Sequence, residues 1–167
     1  MTQAEKDKII KELQEKLAEA EKIEVDDPKR WKPEFDEEYH YVDNDGRVED
    51  AVCASSMRNR SSFECWCRLT GNCFKTKKEA EEYKKQIEYT ARYKNYIEEH
   101  SEPIDWNDTS THKHLAEFCY DSNKIVVECF YSYRNQGAIY ASSGQIIWDA
   151  IKEIGEDNFK KYVLGVK

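Results

Sequence analysis

The chain has 167 residues, enough for one well-buried core or for two small modules sharing a core, and too few for two independent domains of average size. Charged residues make up 36% of it and its mean hydropathy is -0.95, figures that suit a disordered chain, but 13% aromatic residues, with eleven Tyr and four Trp, argue for a folded body. The net charge of -8 disfavours non-specific binding to nucleic acid or to an anionic membrane; it serves solubility and permits a basic partner, such as the nucleic-acid channel of an enzyme.

No apolar run approaches the ~20 residues that span a bilayer, and Met1 to Lys8 lead into an amphipathic helix rather than a signal segment. A cytosolic protein is expected, with reduced thiols at Cys53, Cys65, Cys67, Cys73, Cys119 and Cys129. From Thr2 to Val25 there is no Pro or Gly, and Ile10, Leu13, Leu17 and Ala20 form a narrow apolar seam among Lys and Glu. The seam predicts a helix over residues 2–25 that either pairs with copies of itself, the preferred reading, or lies on the body, and Pro28 ends it. A linker over 29–37 follows, with Trp31 and Phe35 as anchors. Tyr39 to Val42, Asp43-Asn44-Asp45-Gly46 and Arg47-Val48 then read as a hairpin around an Asp-Gly turn. A calcium loop starting at Asp43 fails at its twelfth position, where the bidentate Glu is replaced by Ala54.

Ala54 to Ser62 is a polar loop in which Arg58 and Arg60 offer guanidinium groups to a phosphate or carboxylate. The alternation from Phe63 to Leu69 predicts a strand with Phe63, Cys65, Cys67 and Leu69 on one face and Glu64, Trp66 and Arg68 on the other. Gly71 to Ala80 then holds a strand end, a capping box (Thr76, Glu79) and a helix start. Sixty-six residues on, the pattern returns: Gly137 for Gly71, Tyr140 for Phe74, Ser142 for Thr76, Gln145 for Glu79 and Ile146 for Ala80. The central helix is predicted from Thr76 to His100, with a core stripe of Ala80, Tyr83, Ile87 and Ala91 and a second stripe of Tyr89, Tyr93, Tyr96 and Ile97. In the second half, strands at 116–120 and 125–133 flank a turn at Asp121-Ser122-Asn123, and a third strand at 138–141 feeds a helix from Ser143 to Ile154. Gly155 caps that helix, and a short helix from Glu156 to Tyr162 ends the fold. The expected fold is α+β: a helix over 1–27, then two β-β-β-α repeats with antiparallel sheet over 28–103 and 104–167, and a short C-terminal helix.

Cys53, Cys65, Cys67 and Cys73 could supply four thiolates to zinc, but they lack a Cys-x-x-Cys turn and suit a buried strand face better. His112 and His114, read as linker residues, form an incomplete metal pair with no third ligand nearby, so no metal or other cofactor is expected. Neither a nucleophile elbow nor a phosphate-binding glycine loop is present, which points away from an enzyme. The surplus of Tyr and Trp points towards a binding surface.

Several stretches together (the Lys/Glu helix, Trp31-Lys32-Pro33, Tyr39 to Asp43, Gly71 to Ala80, Ile104-Asp105-Trp106-Asn107 and Ile154-Gly155-Glu156-Asp157) resemble a family of uncharacterised small proteins from phages and prophages of Gram-positive bacteria. The resemblance implies an accessory protein, made in the cytoplasm of an infected or lysogenic bacterium, that binds and blocks a host defence protein in the manner of an anti-CRISPR. The expected partner surface is the Glu-rich faces of the first and central helices, the latter through Glu81, Glu82 and Glu88 with Tyr89, Tyr93 and Tyr96. A sponge for a nucleotide immune signal would instead use Arg58, Arg60, Trp66 and Arg68, and a structural or regulatory protein would assemble through residues 2–25.

Overall fold

The computed structural model describes Trp31, residues 33–54, Cys67, residues 69–132 and residues 134–167. The expected helix over 2–25, and Arg58, Arg60, Cys65, Trp66 and Arg68, lie outside the described residues. The architecture is α+β. Among the described residues its sheets are two separate antiparallel pairs, β1 (Glu38–Val42) with β2 (Val48–Val52), and β3 (Lys113–Cys119) with β4 (Lys124–Phe130). The helices among the described residues are α1 (Lys77–His100), α2 (Gly144–Ile154) and α3 (Glu156–Asn158), the last running into a π-helical turn at Phe159–Val163.

The first hairpin forms where the Asp-Gly turn places it, in register from Glu38↔Val52 to Val42↔Val48. The Asp43 carboxylate accepts the amides of Asp45 and Arg47, and Gly46 takes the left-handed backbone that closes the turn. The Gly71 stretch then fastens this hairpin to the body. Cys67, Leu69 and Thr70 are helical rather than extended, and Gly71 ends that turn at φ 81° while the Asn72 amide donates back to the Cys67 carbonyl. The strand expected at 63–69 is therefore corrected at its described end: Cys67 is buried and Leu69 is 71% exposed, so they do not share a face. Asn72 is buried and imitates a strand neighbour, since its side-chain oxygen accepts the Val42 amide at 2.8 Å and its amide donates to the Val42 carbonyl at 2.6 Å. Phe74 pairs with His40 through two backbone bonds of 2.9 Å, and two residues later Thr76 and Glu79 form the capping box of α1.

The second half runs in a similar order with different spacing. β3 and β4 pair from Lys113↔Phe130 to Cys119↔Lys124 around a turn in which Asn123 is left-handed. The third strand expected at 138–141 is a single bridge, His114↔Ala141. The helix cap is Ser143, not Ser142, whose amide and hydroxyl instead bond the Ser101 hydroxyl. One extra residue thus separates Gly137 from its cap, so Tyr140 stands where Cys73 does and Ile147 where Ala80 does. All four of those side chains are buried. Gly155 caps α2 as expected, and the C-terminal helix is α-helical only to Asn158.

The halves share one core. Tyr93 and Ile97 of α1 pack with Ile125, Ala141, Ile147, Ala150, Ile151, Ile154 and Phe159. The stripe of α1 that reaches this core is the aromatic one; of the other, Ala80 is buried and Tyr83 meets Phe74, but Ile87 and Ala91 are exposed. The reason is length: α1 runs past the first hairpin, and its later turns lie against α2 and the π-helical turn.

Tyr93 is 3% exposed and its hydroxyl has no hydrogen-bond partner in this core. Burial pushes its ionisation well above the ordinary value of 10.0. Because the folded chain holds this proton more tightly than the unfolded chain does, titration of Tyr93 leaves stability unaffected below pH ~10 and lowers it as pH rises further, by up to ~1.4 kcal/mol per unit. Tyr93→Phe is expected to be as stable as the parent or up to ~1 kcal/mol more stable at neutral pH. It should also flatten the alkaline loss, which urea unfolding at several pH values would show.

Candidate functional site

The chain's acidity is concentrated in the first hairpin. Between residues 33 and 54 stand Glu34, Asp36, Glu37, Glu38, Asp43, Asp45, Glu49 and Asp50, with Arg47 as the only Lys or Arg, which accounts for nearly all of the net charge of -8. Glu34, Asp36, Glu38, Asp45, Glu49 and Asp50 are exposed. Glu38, Asp45, Glu49 and Asp50 stand on one two-stranded ribbon, where the register sets Asp50 opposite His40 and Glu49 opposite Tyr41. Tyr41 registers its surroundings: desolvation, then the charges of Glu49, Cys67 and Asp43, push its hydroxyl above the ordinary value. His40 Nδ1 lies 2.6 Å from Asp50 Oδ1 across the strands and ties one carboxylate into the ribbon. At the base of the hairpin Phe35 is 71% exposed, placing an aromatic ring beside the carboxylates.

The hairpin is a rigid presenter, because Asn72 and Phe74 hold β1 from one side while the outer edge of β2 carries Glu49 and Asp50. Where its turn meets α1 there is an open cleft of about 290 Å³, lined by Val42, Asp43, Asn44, Gly46, Thr70, Asn72, Tyr83 and Ile87. That described lining offers one carboxylate and no imidazole or thiol.

The expected partner face of α1 is distributed differently. Tyr93 lies in the core, edge-on to Phe159; Tyr89 stacks on Tyr162 at 5.1 Å, and Tyr96 stacks on His100 at 4.0 Å. Desolvation, then Asp149 and Glu153, raise the Tyr96 hydroxyl, which marks it as facing α2. Glu82 is bound by Lys161 at 2.6 Å and by the Tyr162 hydroxyl at 3.2 Å, and these contacts hold its carboxyl below the usual range. Glu88 meets Lys84, and Glu81 is exposed. Lys77, Lys78, Lys85, Arg92 and Lys94 are also exposed on this helix, so its outer face is mixed in sign rather than Glu-rich.

A second polar cluster lies within the second half. Lys113 is fully buried, and its ammonium donates to the carbonyls of Asp108, Thr111 and Tyr131 at 2.6, 2.9 and 3.0 Å. The Trp106 ring lies 5.8 Å from the same nitrogen, with Arg134 at 4.9 Å and Tyr140 edge-on at 5.0 Å. Hydrogen bonds from the Ser110 and Thr111 hydroxyls hold the Asp108 carboxyl well below the usual carboxylate range. The histidines read as linker residues are corrected here: His114 lies in β3 and His112 immediately precedes it. The register brings Cys129 opposite His114, so the pair acquires the third donor that it lacks in sequence. Cys53, Cys67 and Cys73 are all buried.

No protein-family model matches the chain, nor does any curated protein or solved structure. No helix among the described residues is long and apolar enough to cross a membrane. The carboxylates of the hairpin were visible in the sequence as residues 34–50, but their proximity depends on the pairing of β1 with β2. Cys129 carried no signal at all without the register of β3 and β4.

Proposed function

We propose that this is a non-enzymatic binding protein that occludes a basic surface of its partner, and that the partner is a bacterial defence component met in the host cytoplasm. The observation that supports this most is the concentration of carboxylates on a ribbon clamped by Asn72 and Phe74. An array of fixed carboxylates competes with phosphates for Lys and Arg, because both present anionic oxygens to the same donors. The exposed Phe35 adds apolar area that a simple solubilising charge would not need. In this reading the acidic contact lies on the hairpin, and the mixed face of α1 contributes little.

The test is affinity capture from lysate of a bacterial host carrying defence systems, followed by titration of the captured protein. Replacing Glu38, Asp45 and Glu49 with their amides is expected to weaken binding at least ~10-fold, and the parent's affinity should fall steeply with salt. The pair Glu81→Gln and Glu88→Gln should leave binding unchanged. Equal capture by the hairpin variant, or loss confined to the α1 variant, would reject the hairpin as the contact.

A further inference from the structure

We propose that His112, His114 and Cys129 form a binding site for one transition-metal ion, with Zn²⁺ the ion that the donors suit best. One ligating atom from each of the three lies within 4.8 Å of the other two. The arrangement follows from strand geometry. Residues 112 and 114 share a face by the two-residue period, and Cys129 is the direct cross-strand partner of His114. This is the same face that carries Ala116, Phe118, Ile125 and Val127 into the core, and at the amino end of α2 it carries nitrogen and sulfur instead of hydrocarbon. His114 meets the amino end of α2, where a Cβ on Gly144 would come within 3.5 Å of its ring and 3.3 Å of Val127.

Two observations separate the cluster from a chance meeting of polar residues. Nδ1 of His114 is buried without a hydrogen-bond partner, an unfavourable state that a ligand to the ring would relieve. His112 is meanwhile packed edge-on against Tyr131 at 4.8 Å, which limits its rotation, and the two imidazoles lie 6.1 Å apart. Zinc bonds of ~2.0–2.3 Å place donors ~3.5 Å from one another, so the trio closes on an ion with ~1 Å of side-chain adjustment while the ladder stays in place. Two imidazoles and a thiolate are a borderline-soft set that favours Zn²⁺ over Mg²⁺ or Ca²⁺. Binding releases one proton, from the Cys129 thiol to solvent, and leaves an S⁻–Zn bond. His112 and Cys129 are exposed, so the fourth position opens to water or to a donor from another molecule.

The test uses the full chain, reduced and freed of metal, titrated with Zn²⁺ and separately with Co²⁺. One equivalent should bind, and Co²⁺ should produce a thiolate-to-metal charge-transfer band. Cys129→Ser should abolish that band, and His112→Ala should weaken Zn²⁺ binding at least ~10-fold. Far-UV circular dichroism should match the parent, because both side chains are exposed. Absence of the band in the parent, or a band that survives in Cys129→Ser and so arises from other cysteines, would overturn the proposal.

Discussion

Phe159→Ala is expected to lower the unfolding free energy by about 4 kcal/mol, which is a large share of the total for a domain of this size. Phe159 is fully buried in the π-helical turn and meets Tyr93 edge-on at 4.9 Å, so it is the apolar centre of a grip on the central helix that Tyr162 and Lys161 complete at Tyr89 and Glu82. The turn is wound wide enough for the Leu164 amide to reach the Phe159 carbonyl, and this sets Phe159 and Tyr162 inward together against Tyr93 and Tyr89. Removing the ring leaves a cavity bordered by residues of both halves, so both should melt together. Urea unfolding followed by Trp fluorescence and by far-UV circular dichroism should give coincident transitions, each shifted to lower urea. A loss below ~1 kcal/mol, or two separate transitions, would show that the halves do not depend on this shared core.

Lys113→Met is expected to cost about 3 kcal/mol, although the substitution keeps length and apolar bulk. The ammonium is the common donor of three carbonyls, two in the loop from Asp108 to Thr111 and one at Tyr131, beyond the end of β4. Without it those oxygens are left facing a thioether that donates nothing. Lys113→Arg should rescue little, since a planar guanidinium cannot point three donors from one nitrogen at three converging oxygens. The loop carries Trp106, whose ring lies near the ammonium, so the variant should also show altered Trp emission in the folded state. Stability unchanged within ~0.5 kcal/mol would mean that the loop is held by Trp106 and Tyr140 alone.

Much of the fold was legible because its signals are local. The Asp-Gly turn, the Thr76 to Glu79 box and the apolar face of α2 each rest on spacing within a few residues, and each forms where expected. The errors share a cause as well. Cys67 and Leu69 alternate as a strand would, but the Gly71 cap winds their backbone into a helical turn. Ser142 and Ser143 both fit a helix cap, and only the packing of Ser142 against Ser101 selects between them. The tyrosines of α1 looked like a surplus for a partner until the second half was folded against them.

By itself, the sequence determined the α+β class, the places of the hairpin turns and of the α1 cap, and the strong acidity of residues 34–50, since composition and short-range backbone preference depend on neighbours in the chain. Tertiary structure alone decided which stripe of α1 is buried, which carboxylates stand together on one ribbon, and that Cys129 faces His112 and His114. Those outcomes depend on strand register and helix packing between residues far apart in sequence, where a shift of one position would turn every side chain to the other face.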